Sequence, residues 1–273
     1  MKKMIFFISS FFEKVHLPGV WIGNRYKVVR HLGSGSYGHT YLVFDQSMGI
    51  QCVLKTLRWH RRMIKSGRTE FNHEIEILKN IRHAGFPTYL ESGKARKTPY
   101  YAMEFIDGYT FEQLIFQEGK TYQEVECFIL AEKLLETIDY LHQHQIIHRD
   151  IRIPNIMLEG ERLRIIDVGL ARQMESDRIT LKKHPRKQCT IQSDYYGLGH
   201  FLLFLLYSTY TPRNEGKERS WEEELTISNV AKTTIRRLLQ IDKPYQNVDE
   251  IHQDFQKIIK KQEVEGMKTN GFF

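Results

Sequence analysis

His148-Arg149-Asp150-Ile151-Arg152-Ile153-Pro154-Asn155, with Asp167-Val168-Gly169 opening twelve residues beyond Asn155, is the stretch from which the rest of the chain can be read. Moving a phosphoryl group asks little covalent chemistry of a protein. It needs a group placed to take a hydroxyl proton and hard oxygen ligands for a divalent cation. Asp150 suits the first task, and Asn155 and Asp167 suit the second. A lone His-x-Asp or Asp-x-Gly recurs by chance. The pair at this spacing is far more specific, and the residues upstream add to it.

Residues 25–57 alternate and turn as strands do. Tyr26–Val29 leads into Gly33-Ser34-Gly35-Ser36-Tyr37-Gly38 and then Thr40–Phe44; a third strand, Gln51–Lys55, follows the turn at Met48-Gly49. In a dinucleotide-binding fold the glycine pattern would open a helix. Here it opens strands that end in a lysine. Residues 70–82 carry Phe71, Ile75, Leu78 and Ile81 at steps of three or four, which predicts an amphipathic helix. Residues 98–106 predict a short apolar strand ending Met103-Glu104-Phe105-Ile106, broken by Asp107-Gly108. A long helix is expected over 122–145 with Ile129, Leu130, Leu134, Leu135, Ile138 and Leu141 inward. Further helices are expected from Asp194 to about Tyr207, over 228–240 and over 248–261.

Together these motifs resemble the eukaryotic-like serine/threonine protein kinases of compact bacterial type, over about residues 25–260. The resemblance implies an α+β, two-lobed protein kinase-like fold. Residues 25–106 would form a small antiparallel β-sheet N-lobe with one helix, and 107–262 a larger, mainly helical C-lobe. An apolar and basic extension (1–24) and a loose tail (263–273) would flank them. It also implies ATP with Mg²⁺, or Mn²⁺ in its place, and a protein substrate with a serine or threonine acceptor. Small-molecule kinases of the same fold and a catalytically silent scaffold are the rival readings.

Carried over residue by residue, the resemblance places Gly33, Gly35 and Gly38 over the nucleotide phosphates. Lys55 would grip those phosphates and Glu74 would hold Lys55, with Glu70 as the substitute partner. The backbone at Glu104 and Ile106, with Met157, would contact adenine, and Met103 would limit the depth of its pocket. Asp150 would be the base, and Arg152 would neutralise charge on the travelling group. Asn155 and Asp167 would hold the metal, and Asp194 would brace the loop that carries Asp150. The chain departs from the family pattern at Thr40, Val53, Arg152 (usually lysine) and Val168. It lacks the A-P-E triplet, and Asp242-Lys243-Pro244-Tyr245-Gln246 lacks the arginine that normally pairs with it. Losing both partners avoids a stranded charge. Thr180 and Thr190, near Lys182, Lys183 and Arg186, read either as phosphate acceptors or as ordinary loop threonines.

A net charge of +7 and a pI near 9.1 favour acidic partners. The cations are dispersed, no nucleic-acid motif accompanies them, and no nucleic-acid partner is expected. Three widely spaced cysteines, Cys52, Cys127 and Cys189, read as reduced thiols. His142, His144 and His148 cluster without an evident fourth zinc ligand. Lys2 and Lys3 precede an apolar stretch, Met4–Phe12, too short to span a bilayer. It is expected either to pack on the domain or to touch a membrane surface peripherally. The expected location is the cytoplasm, with membrane association through that N-terminus under the second of these readings. Sequence leaves the oligomeric state open.

Overall fold

A computed structural model describes residues 15–35, 37–174, 188–211 and 219–269, with side chains through residue 260. Met4–Phe12, Thr180, Lys182, Lys183 and Arg186 lie outside the described residues. The chain divides into two compact units, Met1–Asp107 and Gly108–Phe273.

The first unit is built on six antiparallel strands: β1 (Trp21–Ile22), β2 (Tyr26–Ser34), β3 (Gly38–Asp45), β4 (Ile50–Leu57), β5 (Tyr89–Ala95) and β6 (Thr98–Glu104), in the order β1-β2-β3-β4-β6-β5. Alternate residues point inward, so Tyr26 and Val28, Tyr41 and Val43, and Cys52 and Leu54 form one buried cluster with Ile22 and Ala102. Burial pushes the Cys52 thiol up to about 12, which keeps it inert at neutral pH.

After β4 come α1 (Trp59–Arg62) and α2 (Lys65–Asn80). The latter begins five residues before the expected Glu70. Lys65-Ser66-Gly67 reads as a turn, yet a Cβ on Gly67 would stand 2.5 Å from the Arg61 carbonyl oxygen. Glycine is there because α2 starts hard against α1. At the other end, Ile81 and Arg82 fall outside the helix. Ile81 is buried from extended backbone (φ −68°, ψ 132°), so the apolar period outran the helix.

One ion-pair network ties the strands. Arg25 donates bidentately to Asp45 (2.7 and 2.6 Å), and its other nitrogen donates to Glu91, 2.5 Å away; Glu91 also accepts from the Tyr26 hydroxyl at 2.6 Å. The guanidinium, joined by Ser47 and Met48 donors, lowers the Asp45 carboxyl to about 2. A depressed carboxylate pKa gives stability that is complete above the unfolded value and lost as pH falls towards the folded one. With Arg25 about a third exposed, the contribution is discounted to ~1–2 kcal/mol. Arg25→Ala should therefore lose about that much at pH 7 and show a shallower fall in stability below pH 4. Urea midpoints from pH 6 to pH 2 would reveal it; parallel curves for the two proteins would refute it.

The second unit starts with β7 (Tyr109–Thr110) and α3 (Phe111–Phe116), joined by a capping box in which the Thr110 hydroxyl accepts from the Gln113 N–H. Then follow α4 (Glu124–Gln143), β8 (Ile146–Ile147), a 3-10 turn (Ile153–Asn155), β9 (Ile156–Glu159), β10 (Arg162–Ile165) and β11 (Arg172–Gln173). The unit ends with α5 (Ile191–Tyr207), α6 (Trp221–Glu224), α7 (Asn229–Leu238) and α8 (Val248–Thr269). Its core packs α4 on α5 and α8, with Phe111 edge-on to Phe201 and Phe128 edge-on to Phe255.

Two expectations are corrected here. Cys127-Phe128-Ile129-Leu130 is one apolar run, and only part of it can face inward. Cys127, Phe128 and Ala131 are buried, whereas Ile129 is exposed and Leu130 half-buried. The tail expected to be loose from residue 263 continues α8 to Thr269. In the stretch without the expected arginine, Asp242 pairs with Arg236 at 2.8 Å. The neighbouring Arg237 lies 3.8 Å over the Tyr245 ring and pairs with Asp254 and Glu250. The arginines come from α7 instead.

Candidate active site

In the first unit, Lys55 lies opposite Tyr101 in the β4–β6 ladder. Directly paired residues share a sheet face, so the ammonium and the phenol point the same way. Both converge on Glu74 of α2: Lys55 Nζ is 2.5 Å and the Tyr101 hydroxyl 2.8 Å from Glu74 Oε1. Glu74 is 3% exposed and Lys55 11%. Removing one member of so buried a pair costs far more than the pair contributes to stability, so its role is positional. Phe71, one helical turn before Ile75, packs on the Tyr101 ring (centroids 5.5 Å apart) and fixes the helix face. Glu70 points elsewhere, 3.8 Å from Arg61. Sequence reasoning missed Tyr101, whose signal appears only once the strand register is known. Tyr101→Phe should raise KM for ATP a few-fold with kcat little changed, as expected when one neutral hydrogen bond worth ~1 kcal/mol is lost. An unchanged KM would refute that role.

The three glycines differ. A Cβ on Gly38 would stand 2.6 Å from the Thr56 carbonyl oxygen, so β3 can close on β4 only without a side chain there. Gly33 and Gly35 face open space, with at most Gly38 O at 4.0 Å. Gly35 N–H donates to that oxygen at 2.9 Å and closes the tip. Such bare backbone is what a phosphate needs for close approach. Glu104 ends β6 with its N–H on Thr88 O (2.9 Å) and its carboxylate accepting from Thr88. Met103 and Ile106 are buried, and Thr40 lies opposite Lys55.

In the second unit, β9 and β10 form a hairpin whose open end pairs Ile156 with Ile165. Ile166 N–H then donates to the Asn155 carbonyl at 3.0 Å, which sets Asn155 beside the segment entering Asp167. Asn155 spends its amide N–H₂ on Asp150, at 2.7 Å to Oδ2 and 3.1 Å to the backbone oxygen. Its side-chain carbonyl oxygen is thereby kept for another partner. Arg152 Nε lies 3.1 Å from the other Asp150 oxygen. Asp167 accepts from Gly169 N–H at 2.9 Å. Val168 is buried, and Met157 sits half-buried on β9.

The loop carrying Asp150 is anchored by α5. Asp194, fully buried, accepts from His148 N–H (2.8 Å) and Arg149 N–H (2.7 Å), and its Oδ2 lies 2.9 Å from His142 Nε2. One turn on, a Cβ at Gly197 would stand 2.7 Å from Ile151 Cβ. Asp194 and Gly197 make one helix face, the first binding the loop and the second leaving room for it. Between them Arg149 is held at φ 67°, a conformation a non-glycine residue keeps only when its surroundings impose it. The clustered histidines have separate partners: His142 meets Asp194, His144 Nδ1 the Tyr140 carbonyl and His148 Nδ1 the Asp150 N–H.

The protein kinase domain model matches residues 26–263. The Bacillus subtilis protein named "probable serine/threonine-protein kinase YbdM" is 36% identical over 252 residues, covering 91% of this chain and 95% of its own. The serine/threonine-protein kinase PrkC of the same organism is 26% identical over 70% of this chain, which spans only 31% of PrkC. Among solved structures, the PknI kinase domain of Mycobacterium tuberculosis matches 89% of this chain and 99% of its own with a TM-score of 0.67. At 20% identity that likeness concerns the fold. The chain therefore belongs to the protein kinase family, as a serine/threonine protein kinase like the B. subtilis relatives it matches.

Proposed function

We propose that this serine/threonine protein kinase transfers the γ-phosphoryl group of Mg-ATP to serine or threonine hydroxyls of protein substrates, its own chain included. One observation carries the reading: a carboxylate, Asp150, held on both oxygens by Asn155 and Arg152 on a loop pinned by Asp194. Asp150 orients the acceptor hydroxyl and takes its proton. Lys55, fixed by Glu74 and Tyr101, positions the α- and β-phosphates. The open backbone at Gly33 and Gly35 lies along the phosphates, and the backbone at Glu104 and Ile106 receives adenine. Arg152 offsets charge on the group in transit; its planar fork replaces the usual lysine.

The donor set suits Mg²⁺. The Asn155 side-chain carbonyl oxygen faces away from the bond its own amide makes to Asp150, and Asp167 adds a carboxylate, both hard ligands. When bound there, Mg²⁺ would neutralise phosphate charge, and Mn²⁺ would serve similarly. The names of the B. subtilis relatives support a serine/threonine acceptor. We place the protein in the cytoplasm on its sequence alone.

The test is incubation with Mg²⁺ and γ-labelled ATP, beside Lys55→Met and Asp150→Asn chains, followed by identification of the labelled residues. Label in serine or threonine on wild type alone is expected. Label confined to tyrosine, or ATP binding with no transfer to any protein, would overturn the reading.

A further inference from the structure

The cations are dispersed along the sequence, and the fold gathers some of them. Met1–Asp107 is strongly basic, and the rest of the chain is slightly acidic. Between Arg58 and Glu70 stand Arg61, Arg62, Lys65 and Arg68 without one acid; a second run is Lys94-Ala95-Arg96-Lys97. The first run spans α1 and the opening of α2, and the second makes the turn between β5 and β6. Arg62 joins them: its Nη1 donates to the Lys97 carbonyl at 3.2 Å and to the Thr98 hydroxyl at 2.8 Å. Arg68 folds back the same way and donates to the Arg62 carbonyl. Neutral oxygens satisfy these N–H groups without cancelling their charge. Among the described residues no carboxylate pairs with Arg62, Lys65, Arg68, Lys94, Arg96 or Lys97. Arg58 and Arg61 are turned elsewhere, to the Gly35 carbonyl and to Tyr37 and Glu70. Apolar side chains stand among the cations. Met63 (66% exposed) and Ile64 (36%) lie between Arg62 and Lys65, and Trp59 (47%) comes one helical turn before Met63. The inner side of α1 holds it in place, where His60 is buried and Gly67 closes on Arg61.

We infer that this surface of the first unit, made by α1, the opening of α2 and the β5–β6 turn, docks on an anionic lipid bilayer. The negative potential of such a bilayer attracts each cation within a Debye length. Met63, Ile64 and the Trp59 ring then leave water for the boundary between headgroups and acyl chains, where an indole is especially at home. Either contribution alone is weak. Together they make the pair of signals that stable peripheral attachment requires. A nucleic acid would meet the same cations and stack on Trp59, but it would leave Met63 and Ile64 in water. The inference stands apart from the proposed function, since it needs no phosphoryl transfer.

The test sediments the full chain with vesicles of phosphatidylcholine, alone or mixed with phosphatidylserine, at low and at high salt. Wild type should pellet with the anionic vesicles at low salt, come off at high salt, and stay in solution beside phosphatidylcholine alone. A chain carrying Lys65→Glu, Lys94→Glu and Lys97→Glu should bind the anionic vesicles roughly tenfold more weakly. All three side chains are exposed, and a carboxylate at the first position of α2 suits the helix dipole, so circular dichroism should match wild type. Arg96 is left in place because its backbone is held at φ 55°. Met63→Ser with Ile64→Ser should lower vesicle binding severalfold. Wild type that pellets equally with both vesicles, or with neither, would overturn the inference. So would either variant pelleting as wild type does, which would give the attachment to residues 1–14, present in every chain tested. Tighter binding to a single-stranded RNA than to the anionic vesicles, unchanged by the two serines, would assign the surface to nucleic acid and overturn it too.

Discussion

Asp150→Asn should lower kcat by ~10²- to 10⁴-fold, the range that general-base help supplies, while KM for ATP changes little. The substitution is close to isosteric. The Asn155 amide that now donates to Asp150 Oδ2 at 2.7 Å can donate to the new carbonyl oxygen instead. Asn155 also keeps its 3.1 Å bond to the backbone oxygen of residue 150, so the loop keeps its anchor. Arg152, 3.1 Å from Oδ1, is half exposed and can turn to water at small cost. The thermal midpoint should therefore stay within a degree or two of wild type, as for a surface change worth under ~0.5 kcal/mol. Steady-state kinetics with a generic protein substrate, beside a melting curve, separate the two effects. A variant with near-wild-type kcat would remove Asp150 from the chemistry. One that melts far lower would make its role structural.

How much could be read from the sequence depended on the range over which each fact is encoded. Strand alternation is local, so β2, β3 and β4 were read near their observed places, though the periodic signal gave their cores and not their ends. Asp150, Asn155 and Asp167 were found together because one hairpin, Ile156–Ile165, brings them near each other, and a hairpin preserves sequence proximity. Tyr101 was not found. Its link to Glu74 needs the pairing of Lys55 with Tyr101, a register set across 46 residues and marked by no local pattern. The same holds for His142, whose bond to Asp194 crosses 52 residues. The early start of α2 was hidden by Gly67, a poor helix former placed there by the close Arg61 backbone. Ile129 was assigned inward because the 3.6-residue period cannot rank four consecutive apolar residues by itself.

Asp194→Ala should destabilise the second unit by ~3–5 kcal/mol, a large share of the 5–15 kcal/mol typical of a domain. The carboxylate is wholly buried and satisfies the His148 and Arg149 N–H groups and the His142 ring at once. Alanine would strand the buried His148 N–H and the part-buried Arg149 N–H, at ~1–3 kcal/mol for a fully stranded donor. Arg149 sharpens the expectation. Its φ of 67° costs ~1 kcal/mol or more and is held in part by the bond from its own N–H to Asp194. Without that bond the backbone is free to relax, and Asp150 is the next residue. Since the alanine variant can fail by unfolding, Asp194→Asn is the discriminating partner. It keeps one acceptor oxygen but turns an amide N–H₂ towards a backbone N–H, so it should fold with a lower denaturation midpoint. Its kcat should still fall by ~10²-fold under conditions where circular dichroism shows it fully folded, because a small displacement of a positioned group is costly in rate. A folded Asp194→Asn chain with wild-type kcat would mean that the anchor serves stability alone and that the loop carrying Asp150 holds its shape without it.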